Sequence, residues 1–330
     1  MLALSWPVVV TGAGGFLGGA VVRALAAAAP DVSLIRALVS APSQPFVAPP
    51  AGVAVAQADI DDVDALAALF DGAACVVHLA GPSSVAASFE HPALFARAHA
   101  AGTAAVVEAA TAREVPALVH VSSAEVYGQP QADPVTEDHP LAPRSPYGAA
   151  KACAEAMLVT AKRYRGRVAV VRPFSVYGPG QPGASLLSGV LRQALDPATD
   201  EVVVADLRPV RDYCFVEDVA EAALRAASAS PVAGAPRVYN VASGVGVAVA
   251  ELANLAADVA AERTGRRKPV REDPSRRRPG GADILHLVAD VARAARELGW
   301  APRTPLREGL RRTVASLVEP PAPGTQPQAP

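Results

Sequence analysis

Tyr147-Gly-Ala-Ala-Lys151 sets a phenol and an ammonium four residues apart, on one face if the segment is helical. Such a pair can converge on a cofactor ribose and a substrate oxygen. A tyrosine with an ordinary pKa near ~10 is a poor base at neutrality, but a neighbouring lysine cation and an oxidised nicotinamide both stabilise its phenolate. The same tyrosine donates a proton when a carbonyl is reduced. Upstream, Ser122-Ser123-Ala124-Glu125-Val126-Tyr127-Gly128 closes an apolar run, at the strand end where α/β sheets bind ligands, and Ser123 can hydrogen-bond the reacting oxygen there. Alone, a tyrosine–lysine spacing usually marks a helix surface. Here it follows a glycine turn and a serine-bearing strand end, an order that is far more specific.

The glycine turn is Thr11-Gly12-Ala13-Gly14-Gly15-Phe16-Leu17-Gly18. Gly12 allows the tight turn, Gly15 lets the backbone approach a pyrophosphate and Gly18 lets helix pack on strand. The helix start at Phe16 and Leu17 offers free N–H groups to phosphates. Any strand-to-helix junction can use such glycines, but the strand before and helix after favour a dinucleotide. No Asp or Glu lies between Val32 and Ala58, where a carboxylate usually meets the NAD ribose. The cofactor expected is therefore NAD(P)(H), with NADP favoured over NAD. Ser40 or Ser43 offers a hydroxyl to a 2′-phosphate; Arg36 reaches one only if its strand ends early, and otherwise points to solvent. Asp59, followed by Ile60, suits an adenine contact, although Asp59, Asp61, Asp62 and Asp64 equally suit a solvated helix cap.

These residues need a sheet and helices to hold them. Strands are expected at 8–11, 33–39, 53–57, 75–79, 117–122 and 168–172, and helices at 15–28, 63–70, 92–113 and 147–164. This is the alternation of an α/β protein, a Rossmann doubly wound parallel sheet over residues 1–174. A smaller mixed C-terminal substrate lobe follows over 175–318, with helices near 186–194, 216–227 and 249–264, a strand at 201–204 and a basic loop. The Pro-rich stretch 319–330 is expected to be a disordered tail.

At 330 residues, about half of them apolar, the chain can bury a large core. Its formal charge of -2, from 30 basic and 32 acidic residues, creates no overall field for nucleic acid or an anionic membrane. The apolar start has no basic n-region and runs straight into the glycine turn, so it reads as a strand, and no apolar run reaches the ~20 residues of a membrane span. Cys75, Cys153 and Cys214 lack disulfide or zinc spacing, which suits a reducing cytoplasm. His78, His91, His120 and His139 lack metal-ligand spacing and are taken as structural.

The ordered pieces TGAGGFLG (11–18), HLAG (78–81), HVSSAEVYG (120–128), SPYGAAK (145–151), VVRPFSVYGPGQ (170–181), RDYCFVEDVA (211–220), YNVASG (239–244) and LGWAP (298–302) resemble the extended short-chain dehydrogenase/reductases. That family includes sugar-nucleotide epimerases, dehydratases and 4-ketoreductases, and the resemblance covers almost all of residues 7–316. It implies Ser123, Tyr147 and Lys151 as the catalytic set, with Leu79, Ala80 and Pro173 near the cofactor. It also implies a homodimer through the helices at 92–113 and 147–164. Two departures stand out: Ser175 replaces the asparagine of RPFN, and His99 replaces the asparagine before the helical Gly-Thr.

The resemblance implies Thr-Asp-Glu or Thr-Ser-Glu in the dehydratases where this chain has Ser123-Ala124-Glu125; Ala124 cannot give a proton, which disfavours 4,6-dehydration, and Glu125 remains as a base or substrate contact. The stretches 170–181 and 211–220, with Asp273-Pro-Ser-Arg276-Arg-Arg278-Pro279, look most like reductases of an NDP-4-keto-6-deoxyhexose. C4 epimerases share the trio and the Arg-Asp-Tyr motif and form the alternative. Arg211 and Arg278 suit the substrate diphosphate. A non-catalytic dinucleotide-binding sensor is the rival of another class, but it would have no use for Ser123, Tyr147 and Lys151 together.

Overall fold

A computed structural model of the chain describes residues 4–40, 49–183, 185–229, 236–276 and 284–318. The apolar runs of the first half become β1 (Val8–Thr11), β2 (Ile35–Val39), β3 (Ala54–Gln57), β4 (Cys75–His78), β5 (Ala117–Val121) and β6 (Arg167–Pro173). The helices are α1 (Phe16–Ala28), α2 (Val63–Phe70), α3 (Val85–Glu90), α4 (Pro92–Ala96), α5 (Gly102–Ala112), α6 (Pro146–Thr160), α7 (Leu186–Leu195), α8 (Val216–Ser228), α9 (Val249–Thr264), α10 (Ala292–Leu298) and α11 (Leu306–Val318). The strand expected at 33–39 starts late because Asp31 accepts from the Ser33 N–H and winds Val32–Leu34 into a 3-10 turn. The single helix expected at 92–113 is three pieces, since Arg97–Ala101 forms a π-helical turn between α4 and α5.

Successive strand residues feed two cores. Val8, Val10, Val77, Val119 and Val171 pack with α1 and α8, while Val9, Val76, Leu118 and Val170 pack with α2, α5 and α6. Parallel strands covered on both faces have no polar face, which is why these runs are almost wholly Val, Leu and Ala. Among the described residues the sheet has seven strands. From one edge come β10 (Arg237–Val241), β6, β5 and β4, followed by β1, β2 and β3. Each pair is parallel. Strand order reverses between β1 and β4, and this switch point opens a crevice at their carboxyl ends.

The first layer thus takes β10, α8 and α10 from beyond residue 174. The remaining lobe is mixed. β9 (Val210–Phe215) pairs with β7 (Ser175–Tyr177), β11 (Gly246–Ala248) and β13 (His286–Leu287). β8 (Val202–Val204) pairs with β12 (Val270–Glu272), which lies within the expected basic loop. Leu187 and Leu191 of α7, Leu252 and Ala256 of α9, and Leu310 and Val314 of α11 form its core. The stretch 319–330 lies outside the described residues. None of the described helices is long and apolar enough to cross a membrane.

Candidate active site

Helix α6 begins where Ser145 caps it, its Oγ accepting from the Gly148 N–H at 3.1 Å, with Pro146 at the first position. Tyr147, Lys151 and Glu155 then recur every fourth residue and are all buried, whereas Ala149, Cys153 and Ala156 are exposed. Gly148 lets the helix close on the 3-10 turn Ala124–Val126, because a Cβ there would lie 2.6 Å from the Glu125 carbonyl oxygen. That approach brings the Ser123 hydroxyl near enough to the Tyr147 phenol to favour its ionised form. Lys151 Nζ donates to the Val121 carbonyl at 2.7 Å. Strand end and helix thereby gather the three residues singled out for chemistry.

Burial pushes the Tyr147 phenol up to about 12; the Ser123 hydrogen bond opposes this and the Glu125 charge adds to it. At neutral pH the phenol therefore holds its proton. Burial pulls the Lys151 ammonium down to about 7 against the attraction of Glu155. Three imidazoles sense the Lys151 charge, and burial holds each neutral: His78 at about 3, His99 at about 2 and His120 well below its ordinary value. His78 and His120, read as isolated in the sequence, are buried side by side. His78 and His120 have ring centroids 5.2 Å apart. His78 bonds Thr11 Oγ1 at 2.7 Å through Nδ1 and Thr103 Oγ1 at 3.1 Å through Nε2. Thr11 Oγ1 also accepts from the Leu79 and Ala80 N–H groups at 3.3 Å each, so it donates to Nδ1 and the His78 proton sits on Nε2.

His99 lies in the π-helical turn with its ring 5.5 Å from that of Tyr147, while Phe95 meets the same phenol edge-on at 6.0 Å. Its Nε2 donates to the Pro82 carbonyl at 2.8 Å. Gly81, at φ +128°, makes room, since a Cβ there would collide with the imidazole. The residue that departs from the family pattern thus wedges the tyrosine. Among the described residues no cluster has the composition of a metal site.

The turn after β1 fits a dinucleotide. Gly12 has φ +69°, and a Cβ on it would lie 2.7 Å from the Ala80 nitrogen; one on Gly18 would strike the Gly12 carbonyl. Gly15 caps α1 without a side-chain bond and no acid occupies the first turn, so Phe16 and Leu17 begin a helix open to an anion. Leu79 and Ala80 face this turn across the switch point, and Pro173 is buried at the end of β6. Ser40 is exposed just beyond β2, and Ser43 lies outside the described residues. Arg36 neither points to solvent nor reaches a ribose: it donates to the carbonyls of Leu69 at 2.8 Å and Asp71 at 2.6 Å, closing the end of α2. The acidic run divides its roles. Asp62 caps α2 by accepting from the Ala65 N–H at 3.0 Å and Asp61 pairs with Arg97 at 2.7 Å, leaving Asp59 exposed after β3 and Ile60 packed on Gly102.

On the other lobe, Ser175 opens β7 opposite Tyr213 of β9, two residues along from Arg211. Arg211 is half-buried and donates to the Val210 carbonyl at 3.0 Å. Arg278 lies outside the described residues. Two buried features went unread in the sequence. Asp212 accepts from the N–H groups of Ser243 at 2.7 Å, Gly244 at 2.9 Å and Ala289 at 3.3 Å, and from the Ser243 hydroxyl at 2.5 Å, pinning β9 beside Arg211. Glu155 grips Arg172 through two bonds, at 3.0 and 2.5 Å, behind Lys151. The second was signalled by the repeat of four from Tyr147 to Lys151 to Glu155.

With this geometry in hand, comparisons with known proteins are consistent. The model of the NAD dependent epimerase/dehydratase family matches residues 8–242. A UDP-glucose 4-epimerase of Mycolicibacterium smegmatis is 33% identical over 92% of this chain and 96% of its own length. A GDP-6-deoxy-D-mannose reductase of Pseudomonas aeruginosa is 33% identical over 72% of this chain and 77% of its own. The crystal structure of a Thermus thermophilus UDP-glucose 4-epimerase complexed with NAD superimposes with a TM-score of 0.79 at 29% identity, covering 94% of this chain and 98% of that one. The chain belongs to the NAD dependent epimerase/dehydratase family of extended short-chain dehydrogenase/reductases.

Proposed function

We propose that this protein is an enzyme that moves a hydride between a nicotinamide dinucleotide and C4 of a nucleoside-diphosphate sugar. The observation that carries this is the convergence of Ser123, Tyr147 and Lys151 at the carboxyl end of β5, next to the switch-point crevice. Bound at the turn after β1, NAD(P)H would supply the hydride. Ser123 donates a hydrogen bond to the C4 oxygen, and Tyr147, held protonated by burial, gives that oxygen its proton as the ketone is reduced. The Lys151 cation stabilises the phenolate left behind. Run backwards, the same groups take the proton during oxidation. Ala124 has only a methyl group where elimination of water needs an acid, which weighs against dehydration.

Two net reactions share this half-step. Reduction of an NDP-4-keto-6-deoxyhexose is favoured by the motifs of the second lobe and by the reductase relative. C4 epimerisation with retained cofactor is favoured by the epimerase relative, which matches more of the chain. Arg211 and Arg278 are proposed for the diphosphate, Glu125 and Ser175 for the sugar, and Ser40, Asp59 and Ile60 for the adenosine side of the cofactor. The missing carboxylate after β2 supports NADP, while NAD occupies the Thermus relative. A homodimer is proposed through the exposed apolar residues Phe89, Leu94 and Met157 around α3, α4 and α6, with an expected mass near twice 33.6 kDa; a mass of one chain at micromolar protein would reject it. Free Cys75, Cys153 and Cys214 support a cytoplasmic location.

The test mixes purified protein with an NDP-4-keto-6-deoxyhexose and NADPH or NADH, and separately with UDP-glucose. Stoichiometric cofactor oxidation supports the reductase. Conversion of UDP-glucose to its C4 epimer without net oxidation supports the epimerase. Cofactor binding with no turnover of either would favour the non-catalytic sensor instead.

A further inference from the structure

Lys151 sits in a poor place for a cation. It is 4% exposed, and its Nζ donates to a neutral carbonyl, that of Val121. The groups around it come from five elements. His78 projects from β4, His120 from β5 and His99 from the π-helical turn, all held neutral, so none supplies negative charge. On α6 itself lie neutral Tyr147, one turn before, and Glu155, one turn after. Beyond Glu155, from β6, stands Arg172, whose own partners are Glu155, the Tyr127 hydroxyl at 2.8 Å and the Glu137 carbonyl at 3.1 Å. The Ser122 hydroxyl also donates to Glu155, at 2.5 Å. Glu155 is 6% exposed and cannot swing away, because strand ends β5 and β6 both hold it.

We propose that Glu155, clamped by Arg172 and Ser122, is a positioning residue that favours the protonated form of Lys151. This rests on the reading of Lys151 as part of the reaction centre for its consequence, but not for its test. The clamp explains an otherwise costly arrangement. A buried ion pair is seldom a net source of stability, since desolvation offsets attraction. Here the carboxylate lies on the same buried helical face as the ammonium, and its field is the opposing influence that keeps the amine from losing its proton. The bond from Ser122 adds a mechanical link, because the residues on either side of it are Val121, which receives the amine, and Ser123, which meets the phenol.

The chain has just three lysines, Lys151, Lys162 and Lys268, so lysine labelled with 13C at Cε gives three titrating signals in the full-length protein without any substrate. Lys151 is assigned by its loss in Lys151→Arg. The wild-type signal is expected to titrate near neutrality, about 7. In Glu155→Gln its midpoint is expected to fall by about one unit or more, a tenfold drop in the ratio of charged to neutral amine at a given pH. Glu155→Asp, which keeps the charge, should restore most of it. If Glu155→Gln does not fold because Arg172 is left unpaired, the double variant Glu155→Gln/Arg172→Met is compared with Arg172→Met alone, a difference that isolates the carboxylate and should show the same fall. An unchanged Lys151 midpoint in the folded variants overturns the proposal. If the midpoint falls but the wild-type protein turns over no nucleotide sugar, the charge assignment stands and the proposed reaction does not.

Discussion

The Lys151 ammonium donates to the Val121 carbonyl across the junction of α6 and β5, so the amine is fixed by the last residue of the strand that carries Ser123 two positions later. Strand end and helix cannot shift independently without breaking this bond. The position has an energetic cost, because burial pulls the Lys151 ammonium to about 7 from an ordinary value of 10.5. The unfolded chain binds the proton more tightly throughout that interval, so stability is expected to rise as pH climbs through it. Lys151→Met should flatten the rise between pH 7 and 9 and raise the melting temperature while abolishing turnover, a trade of function against stability. Thermal melts of both proteins across that range check it, and identical pH slopes would contradict the assigned burial.

Tyr147→Phe removes the proton donor but keeps the ring between Phe95 and His99. Its kcat is expected to fall about 10²- to 10⁴-fold, with dinucleotide binding unchanged when followed by fluorescence titration. Ser123→Ala removes a hydrogen bond to the reacting oxygen and is expected to cost about 10²-fold. Retention of near-normal turnover by either variant would remove that residue from the reaction.

Acid should destabilise the fold before most carboxylates are protonated. His78 and His99 stay neutral to about 3 and about 2, and His120 is lowered well below its ordinary value, whereas unfolded histidines take protons below about 6.5. Their folded values are depressed, so this stability is present above pH 6.5 and is lost as pH falls. Each contributes a loss of about 1.4 kcal/mol per pH unit below that point. Urea unfolding at pH 7.5, 6.0 and 5.0 checks this, with His120→Asn expected to shallow the slope.

The sequence made the first layer legible because its signals are local. Continuous apolar runs mark strands buried on both faces, and the glycine turn is set by contacts among Gly12, Gly18 and Ala80 that no larger residue could make. Ser123, Tyr147 and Lys151 were legible for the same reason: spacing on one helix and position at one strand end. What escaped depends on partners distant in sequence. β10 is a short strand with polar residues, and its place beside β6 depends on Asn240 bonding the Tyr127 hydroxyl at 2.6 Å and the Val135 carbonyl at 2.9 Å. Arg36 reads as a solvent-facing side chain because nothing in its own strand reveals that the end of α2 lies within reach. The histidines looked isolated because they are far apart in sequence, and pairing of β4 with β5 sets His78 beside His120.

The most direct test of hydride transfer at C4 follows the hydride itself. Protein supplied with reduced nicotinamide dinucleotide deuterated at its transferable position, and with an NDP-4-keto-6-deoxyhexose or a UDP-4-ketohexose, is quenched and the sugar examined by NMR. Deuterium is expected at C4 of the product in wild-type protein and should be absent from the Tyr147→Phe variant in the same interval. Deuterium at another sugar carbon, or none in the sugar while both ligands are bound, would contradict the account.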